Sequence, residues 1–144
     1  MLVQVTKEET GTKGVALTTY LSLAGSFLVL TPGEPQIGIS RKIEAEEERN
    51  RLKEIMGQLN FPEGIGCIVR TAGSGKSKRD IAKNLDNLLR LWEDIRNRAI
   101  EQPAPSIIYK EIDLAVRTVR DHFTPDVQEV LIDNREIYKQ VKDF

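Results

Sequence analysis

The stretch GCIVRTAGSGKS, residues 66–77, places a short apolar run directly before a flexible turn. Residues 66–69 are typical of a buried strand, and Ser77 followed by Asp80 matches the capping box at the start of a helix. Glycines let backbone N–H groups approach a ligand, and a helix N-terminus favours negative charge. Arg70 adds a planar guanidinium suited to two phosphate oxygens. The stretch predicts a strand, a turn that can hold an anion, and a helix.

The turn at residues 72–77 differs from a nucleotide-hydrolysing P-loop. The pattern G-x-x-x-x-G-K-[ST] requires a glycine at the position that Arg70 occupies. A general anion-binding turn is compatible with these residues, whereas an NTPase is not. From residue chemistry alone, Arg70 fits either a structural salt bridge or contact with a bound anion, and both interpretations stay open.

Length and composition bound the class of protein. A chain of 144 residues with 40% hydrophobic and 30% charged residues predicts one globular, soluble domain with a real core. The net charge of −1 lacks the overall basic footprint of a non-specific nucleic-acid binder, so any phosphate recognition must be local. The apolar stretch 15–30 contains serines, threonines and a glycine, which predicts no membrane span. The single Cys67 predicts a buried, reduced thiol and a cytoplasmic location.

Hydrophobic periodicity predicts an α+β fold, with a β-hairpin and a short mixed sheet packed against three main helices. The predicted hairpin joins residues 15–22 to 27–30, and Gly25 supplies unusual backbone dihedrals at its turn. The predicted strands are 2–6, 15–22, 27–30, 66–69 and 127–132. The predicted helices are 43–58, 78–101, 112–123 and 135–144, with residues 106–109 as a brief strand or an extended link.

The residues indicate no catalytic site and no metal site. His122 is the only histidine, and it falls within a predicted helix rather than beside a nucleophile. The acidic run at residues 44–48 lies in the first turns of a helix, where the helix dipole favours acids. Trp92 falls on the apolar stripe of the helix 78–101, which favours a place in the core over a base-stacking platform.

Four blocks resemble the ribonuclease E/G family of bacterial endoribonucleases. They are VTKEETGTKGVALTTYLSLAGSFLVL (residues 5–30), GISRKIE (38–44), GCIVRTA (66–72) and PAP (103–105). They follow one another in order and at compatible spacing over essentially the whole chain. The resemblance implies that residues 1–24 are the terminal strands of an OB-type RNA-binding barrel, 25–115 a 5′-sensor domain, and 116–144 the start of an RNase H-like segment.

The resemblance also implies a ligand, the 5′-monophosphate end of single-stranded RNA. By motif, Arg70 would clamp the terminal phosphate and Thr71 would add its hydroxyl and backbone N–H. Gly25 and Val29 would complete the pocket through main-chain and packing contacts. Four basic residues are further expected contacts to the following nucleotides: Lys13, Arg41, Lys42 and Lys76.

In the family, magnesium-binding catalytic aspartates and a zinc-linking cysteine motif lie outside the region that this chain matches. The resemblance therefore implies no cofactor in this segment, a catalytically inert sensor, and the remainder of an endoribonuclease as its partner. The N-terminal strand could pair with a second copy of the chain as an exposed edge. A different interpretation is a protein-interaction or scaffold segment whose basic turn binds an incidental anion.

Overall fold

The computed structural model describes residues 1–110, 114–123 and 127–143. The chain divides into two compact units, Met1–Ala104 and Pro105–Phe144. The first unit contains two small sheets and two helices, and the second contains two helices. The predicted α+β class is confirmed.

Six strands and four helices are described. The strands are β1 (Gln4–Lys7), β2 (Ala16–Thr18), β3 (Leu23–Ala24), β4 (Leu28–Pro32), β5 (Ile37–Ile39) and β6 (Ile65–Val69). The helices are α1 (Glu46–Gly57), α2 (Lys78–Glu101), α3 (Leu114–His122) and α4 (Arg135–Asp143). Within the described part of the chain, no helix is long and apolar enough to cross a membrane.

The predicted strand 15–22 is wrong as a single element, because the structure divides it between two sheets. β2 pairs with β1 in a two-stranded antiparallel sheet, whereas β3 pairs with β4. Between them the chain bends where the Tyr20 N–H donates to the Thr18 hydroxyl at 3.1 Å. The Gln4 side chain then holds Ser22, accepting its N–H at 2.8 Å and donating to its carbonyl at 2.9 Å.

The second sheet has the strand order β3-β4-β6-β5. β4 lies antiparallel to β3 and β6, while β5 lies parallel to β6 with Ile39 opposite Val69. β5 is a strand that periodicity did not predict. Its three residues owe their conformation to long-range hydrogen bonds, such as the one from the Ser40 N–H to the Val69 carbonyl at 2.8 Å.

The core of the first unit is formed by the inner face of this sheet, by α2 and by the buried residues Leu52, Ile55 and Met56 of α1. Alternation along β4 and β6 directs four side chains inward: Leu28, Leu30, Cys67 and Val69. The stripe of α2 supplies Ile81, Leu85, Leu88 and Ile95. Trp92 is half-buried on the same helix. Burial raises the pKa of the Cys67 thiol to about 12, so the predicted buried, reduced cysteine is confirmed.

The second unit places α3 against α4. The predicted strand 127–132 is wrong, because these residues have no regular secondary structure and Leu131 is 84% exposed. A strand needs a hydrogen-bonded neighbour, and no described strand pairs with this segment. The predicted first residues of α3, at 112–113, and Phe144 lie outside the described residues.

Candidate functional site

Arg70 follows the last residue of β6 and lies on the outer face of the sheet. Cys67 and Val69 are buried, whereas Ile68 is 41% exposed, so alternation directs Ile68 and Arg70 outward. Val29 lies opposite Ile68 in the neighbouring strand. The backbone N–H of Arg70 donates to the Phe27 carbonyl at 2.8 Å, which continues the pairing of β4 and β6 by one residue.

The Arg70 guanidinium is held by the loop between β3 and β4. Its Nη1 donates to the carbonyl oxygen of Gly25 and to that of Ser26, the latter at 3.3 Å. The loop is closed by a hydrogen bond of 2.7 Å from the Gly25 N–H to the Leu28 carbonyl. Two backbone carbonyls of a tight hairpin therefore fix the orientation of a long cationic side chain that would otherwise sample many rotamers.

Gly25 is required for close packing, and the prediction that it supplies unusual dihedrals is wrong. Among the described residues, positive φ angles occur at Gly11, Gly33, Gly64 and Gly75. A Cβ atom at Gly25 would lie 2.7 Å from Oδ1 and 2.8 Å from Nδ2 of Asn84, and 3.0 Å from Cδ1 of Leu88. The hairpin turns at Gly25 as expected, but the absence of a side chain there serves contact with α2.

Asn84 is a positioning residue that the sequence analysis missed. Its Oδ1 accepts the backbone N–H groups of Phe27 at 3.1 Å and Leu28 at 3.0 Å. A side chain in the second turn of α2 thus holds the same loop whose carbonyls bind Arg70. A signal was present, because asparagine is a poor residue for a helix interior.

The residue after Arg70 begins a short 3₁₀ turn, Thr71–Gly73, which packs against the hairpin loop. A Cβ at Gly73 would lie 2.8 Å from Cγ1 of Val69 and 3.2 Å from the Phe27 carbonyl, so only glycine fits. Lys76 places its Nζ 5.1 Å from the centroid of the Phe27 ring, a cation–π contact. Thr71, the first residue of this turn, is exposed and follows Arg70 directly in the chain.

The predicted site residues divide into those that the fold brings together and those that it places elsewhere. Arg70, Thr71, Gly25 and Val29 belong to paired strands or to the loop that contacts Arg70. Arg41 and Lys42 follow β5 beside the end of β6. Lys13 lies in the turn between β1 and β2, which belongs to the other sheet.

The glycine-rich turn before α2 already holds an anion, and that anion is Glu48 from α1. The Gly75 N–H donates to Glu48 Oε1 at 2.8 Å, and the Ser74 hydroxyl donates to the same oxygen at 3.4 Å. Arg51 contacts both carboxylate oxygens at 2.7 Å. The hydrogen bond from Arg51, followed by that from Gly75, lowers the pKa of Glu48 to about 2. The turn binds an anion as predicted, but it is supplied by the chain itself.

The start of α2 confirms the predicted capping box. The Asp80 N–H donates to the Ser77 hydroxyl oxygen and the Ser77 N–H donates to the Asp80 carboxylate, both at 3.2 Å. These bonds to Ser77 lower the pKa of Asp80. Among the described residues, no three His, Cys, Asp or Glu side chains lie together so as to hold a metal ion.

Gly25, Val29 and Arg70 all belong to a segment of the chain that matches a known protein family. The model of the ribonuclease E/G family matches residues 22–144. The chain belongs to the ribonuclease E/G family. The resemblance noted from the four sequence blocks is therefore confirmed.

The relatives of this chain include proteins named ribonuclease E and proteins named ribonuclease G. The chain is 49% identical over 144 residues to ribonuclease E of Haemophilus influenzae, covering 99% of this chain and 15% of that protein. It is 49% identical over 138 residues to ribonuclease E of Escherichia coli, with coverage of 95% and 13%. It is 35% identical over 144 residues to ribonuclease G of Salmonella typhimurium, with coverage of 100% and 29%. The family member thus spans less than a third of these relatives.

Proposed function

We propose that this segment binds the 5′-monophosphate end of single-stranded RNA within a bacterial endoribonuclease that acts in RNA processing and decay. The names of its relatives support the ribonuclease activity of the whole protein. The observation that carries the sensor role is the Arg70 guanidinium, held by the Gly25 and Ser26 carbonyls, with the exposed Thr71 as the next residue in the chain. The site is a small basic clamp on the outer face of a sheet.

The chemistry of a phosphorylated RNA end suits this clamp. A terminal phosphomonoester carries about −1.5 to −2 charges at neutral pH, more than an internal phosphodiester. The guanidinium supplies a planar fork of donors to its oxygens. Thr71 would add its hydroxyl and N–H, and Val29 would pack near the terminal nucleotide. Because the hairpin carbonyls orient Arg70 in advance, binding would cost little side-chain entropy.

The remaining parts of the proposal concern the segment's place in the whole enzyme. We assign residues 1–24 to the end of an OB-type barrel, 25–115 to the 5′-sensor, and 116–144 to the start of an RNase H-like segment. The segment would be inert by itself, since the family's magnesium and zinc sites belong to other regions, and the enzyme would work in the cytoplasm. Pairing of two copies through β1 stays a prediction.

Binding of RNA that differs only at its 5′ end tests the sensor role. We expect the chain to bind a 5′-phosphorylated oligonucleotide more tightly than its 5′-hydroxyl form in fluorescence anisotropy. Arg70→Ala should lower affinity for the phosphorylated form about ten- to a hundredfold, since a hydrogen bond to a charged group contributes roughly 1.5–3 kcal/mol. Arg96→Ala removes an exposed arginine of α2 and should leave the affinity unchanged.

Folding is separated from binding by Arg70→Lys, which keeps the charge but loses the fork. It should retain the circular dichroism spectrum of the parent chain and still lose most of the preference for phosphate. Equal affinity of the parent chain for both RNA ends would reject the sensor role and favour the scaffold interpretation. RNA cleavage by this chain in magnesium, abolished by a point substitution, would contradict the proposed inertness.

A further inference from the structure

A second basic region lies at the other edge of the same sheet. A pocket of about 490 Å³ opens between β5 and α1. Its floor is the edge strand Ile37–Ile39, and its walls carry Arg41, Arg49 and Lys53. Among the described residues that line this pocket, none is Asp or Glu, so three positive charges converge on one partly apolar cavity.

One of the cations is fixed in place by the backbone. Arg49 Nη1 donates to the Ser40 carbonyl at 2.9 Å and to the Ile43 carbonyl at 3.0 Å. These two bonds hold the guanidinium against the connection that leaves β5. In the part of the chain that the structure describes, Arg41 and Lys53 form neither an ion pair nor a side-chain hydrogen bond.

The wall contributed by α1 is a regular stripe. Arg49, Lys53 and Gly57 are spaced by four residues, so they lie on one face of the helix about 6 Å apart. A Cβ at Gly57 would meet nothing within 4 Å, so the far end of the stripe is open space. The helix presents two cations in a row and then an opening.

The chain leaves β5 for the pocket beside the last residue of β6, which precedes Arg70. Ile39 pairs with Val69, and the Ser40 N–H donates to the Val69 carbonyl at 2.8 Å. Neighbouring strands lie about 4.8 Å apart, so the backbone of Ile39 and Ser40 lies next to that of Val69. Arg41 thus lies near the end of β6 on the side of β5, while the loop between β3 and β4 holds the Arg70 guanidinium.

We propose that this pocket holds backbone phosphates of RNA downstream of the 5′ end, with Lys53 and Arg49 as the contacting cations. The inference rests on the proposed RNA binding of this segment and extends it to nucleotides beyond the first. An RNA strand offers evenly spaced negative charges, which suits a row of cations on one helix face. An acidic peptide lying along the edge strand β5 is the other occupant that the test distinguishes.

The salt dependence of binding measures the contact. Affinity of the chain for a 5′-phosphorylated RNA of about eight nucleotides is determined over a range of salt concentrations. In Lys53→Gln, the slope of log K against log salt should decrease in magnitude by about 0.7 to 1, the value of one lost phosphate contact. Arg96→Gln removes the same charge from an exposed position on α2 and should keep the parent slope.

Two further affinity measurements distinguish a failure of this inference from a failure of the proposed sensor role. Affinity for a 5′-phosphorylated dinucleotide should be the same in Lys53→Gln and in the parent chain, because the proposal places Lys53 at phosphates beyond the first nucleotides. The affinity ratio between 5′-phosphate and 5′-hydroxyl RNA should also be unchanged by Lys53→Gln. Loss of that ratio in the parent chain rejects the sensor role alone.

Three results would overturn the pocket assignment. A parent-like salt slope in Lys53→Gln means that no RNA phosphate reaches Lys53. An equal loss of affinity for the dinucleotide means that Lys53 acts at the first nucleotide. Binding of an acidic peptide that Lys53→Gln weakens, with the RNA slope unchanged, would assign the pocket to a protein partner.

Discussion

The hairpin loop 25–28 and the turn 74–77 both direct backbone N–H groups at a side-chain oxygen, but the two oxygens differ in charge. In the loop, the neutral amide of Asn84 accepts two N–H groups, and the loop carbonyls hold Arg70. In the turn, the carboxylate of Glu48 accepts the N–H and is paired with Arg51. The loop is built from neutral groups around its arginine, whereas the turn contains its own anion and cation.

This difference explains which of two phosphate-binding patterns is a plausible ligand site. The glycine-lysine turn resembles a phosphate cradle in sequence, yet Glu48 already uses its donors. The hairpin loop has no sequence motif of this kind, yet it orients a guanidinium toward the outer face of the sheet. The sequence pattern alone does not identify the proposed ligand site. The side chain that each backbone segment binds, Glu48 in the turn and Arg70 in the loop, makes the difference.

Filling the contact between the loop and α2 should produce the largest effect. In Gly25→Ala, the new methyl group would be 2.7 Å from Asn84 Oδ1, so the Asn84 side chain, the loop or the helix must shift. We expect the free energy of unfolding to fall by about 1–3 kcal/mol, as for other overpacked sites. Because the displaced carbonyls hold Arg70, the preference for 5′-phosphorylated RNA should also be lost. Urea unfolding followed by the fluorescence of Trp92 measures the first effect.

Two other glycines serve as references for Gly25→Ala. Gly14→Ala should be silent, since a Cβ there meets nothing within 4 Å and its φ is not positive. Gly75→Ala, in the turn, has space but a φ of +72°, so it should cost about 1–2 kcal/mol through backbone strain alone. If all three variants unfold at the same urea concentration, the close approach of α2 to the loop is not a stabilising feature.

Removing the amide oxygen of Asn84 should lower the free energy of unfolding by less than Gly25→Ala does. Asn84→Ala leaves the N–H groups of Phe27 and Leu28 without their acceptor. We expect a loss of about 1–2 kcal/mol in unfolding free energy and a weaker preference for the 5′-phosphate. Asn87→Ala, on the exposed side of the same helix, is the matched control. A parent-like phosphate preference in Asn84→Ala would show that Arg70 does not depend on this loop contact.

Neutralising Glu48, the anion of the turn, should have the smallest effect on the free energy of unfolding. The pH dependence of stability measures this effect. The pKa of Glu48 is lowered from 4.5 to about 2 by Arg51 and Gly75. A lowered pKa stabilises the folded state above about pH 4.5, and this contribution disappears as the pH falls toward 2. Glu48→Gln should therefore unfold more readily than the parent at pH 7, and the difference should shrink through that window.

The comparison at two pH values contains its own control. Asp80 also has a lowered pKa, from its bonds to Ser77, but it is present in both proteins and cancels in the difference. The preference for 5′-phosphorylated over 5′-hydroxyl RNA at neutral pH should be unaffected by Glu48→Gln, since Glu48 does not contact Arg70 or the loop that holds it. A difference in stability that persists undiminished at pH 2 would contradict the assigned role of the carboxylate.

Local patterns predicted the helices of the first unit well. The structure gives α2 the bounds predicted for it, because the capping box at Ser77, a regular apolar stripe and Pro103 all act within the helix or next to it. The burial of Val69 and the outward placement of Arg70 likewise follow from simple alternation along one strand.

Features that depend on distant partners were not predictable in this way. β5 is three residues long and is defined by β6, which begins 26 residues after it ends. The break between β2 and β3 depends on Gln4, and the acceptor of the loop N–H groups is 57 residues away in Asn84. The resemblance to a family supplied the proposed site residues, whereas only the fold shows why Gly25 lacks a side chain.

The amide of Asn84 links the behaviour of the hairpin loop to that of a helix. Asn84 follows a capping box and lies between the buried residues Ile81 and Leu85. The amide protons of Phe27 and Leu28 are shielded only while this part of α2 is formed. In hydrogen exchange they should therefore open together with the second turn of α2, so that two loop amides report on the cooperativity of the whole unit.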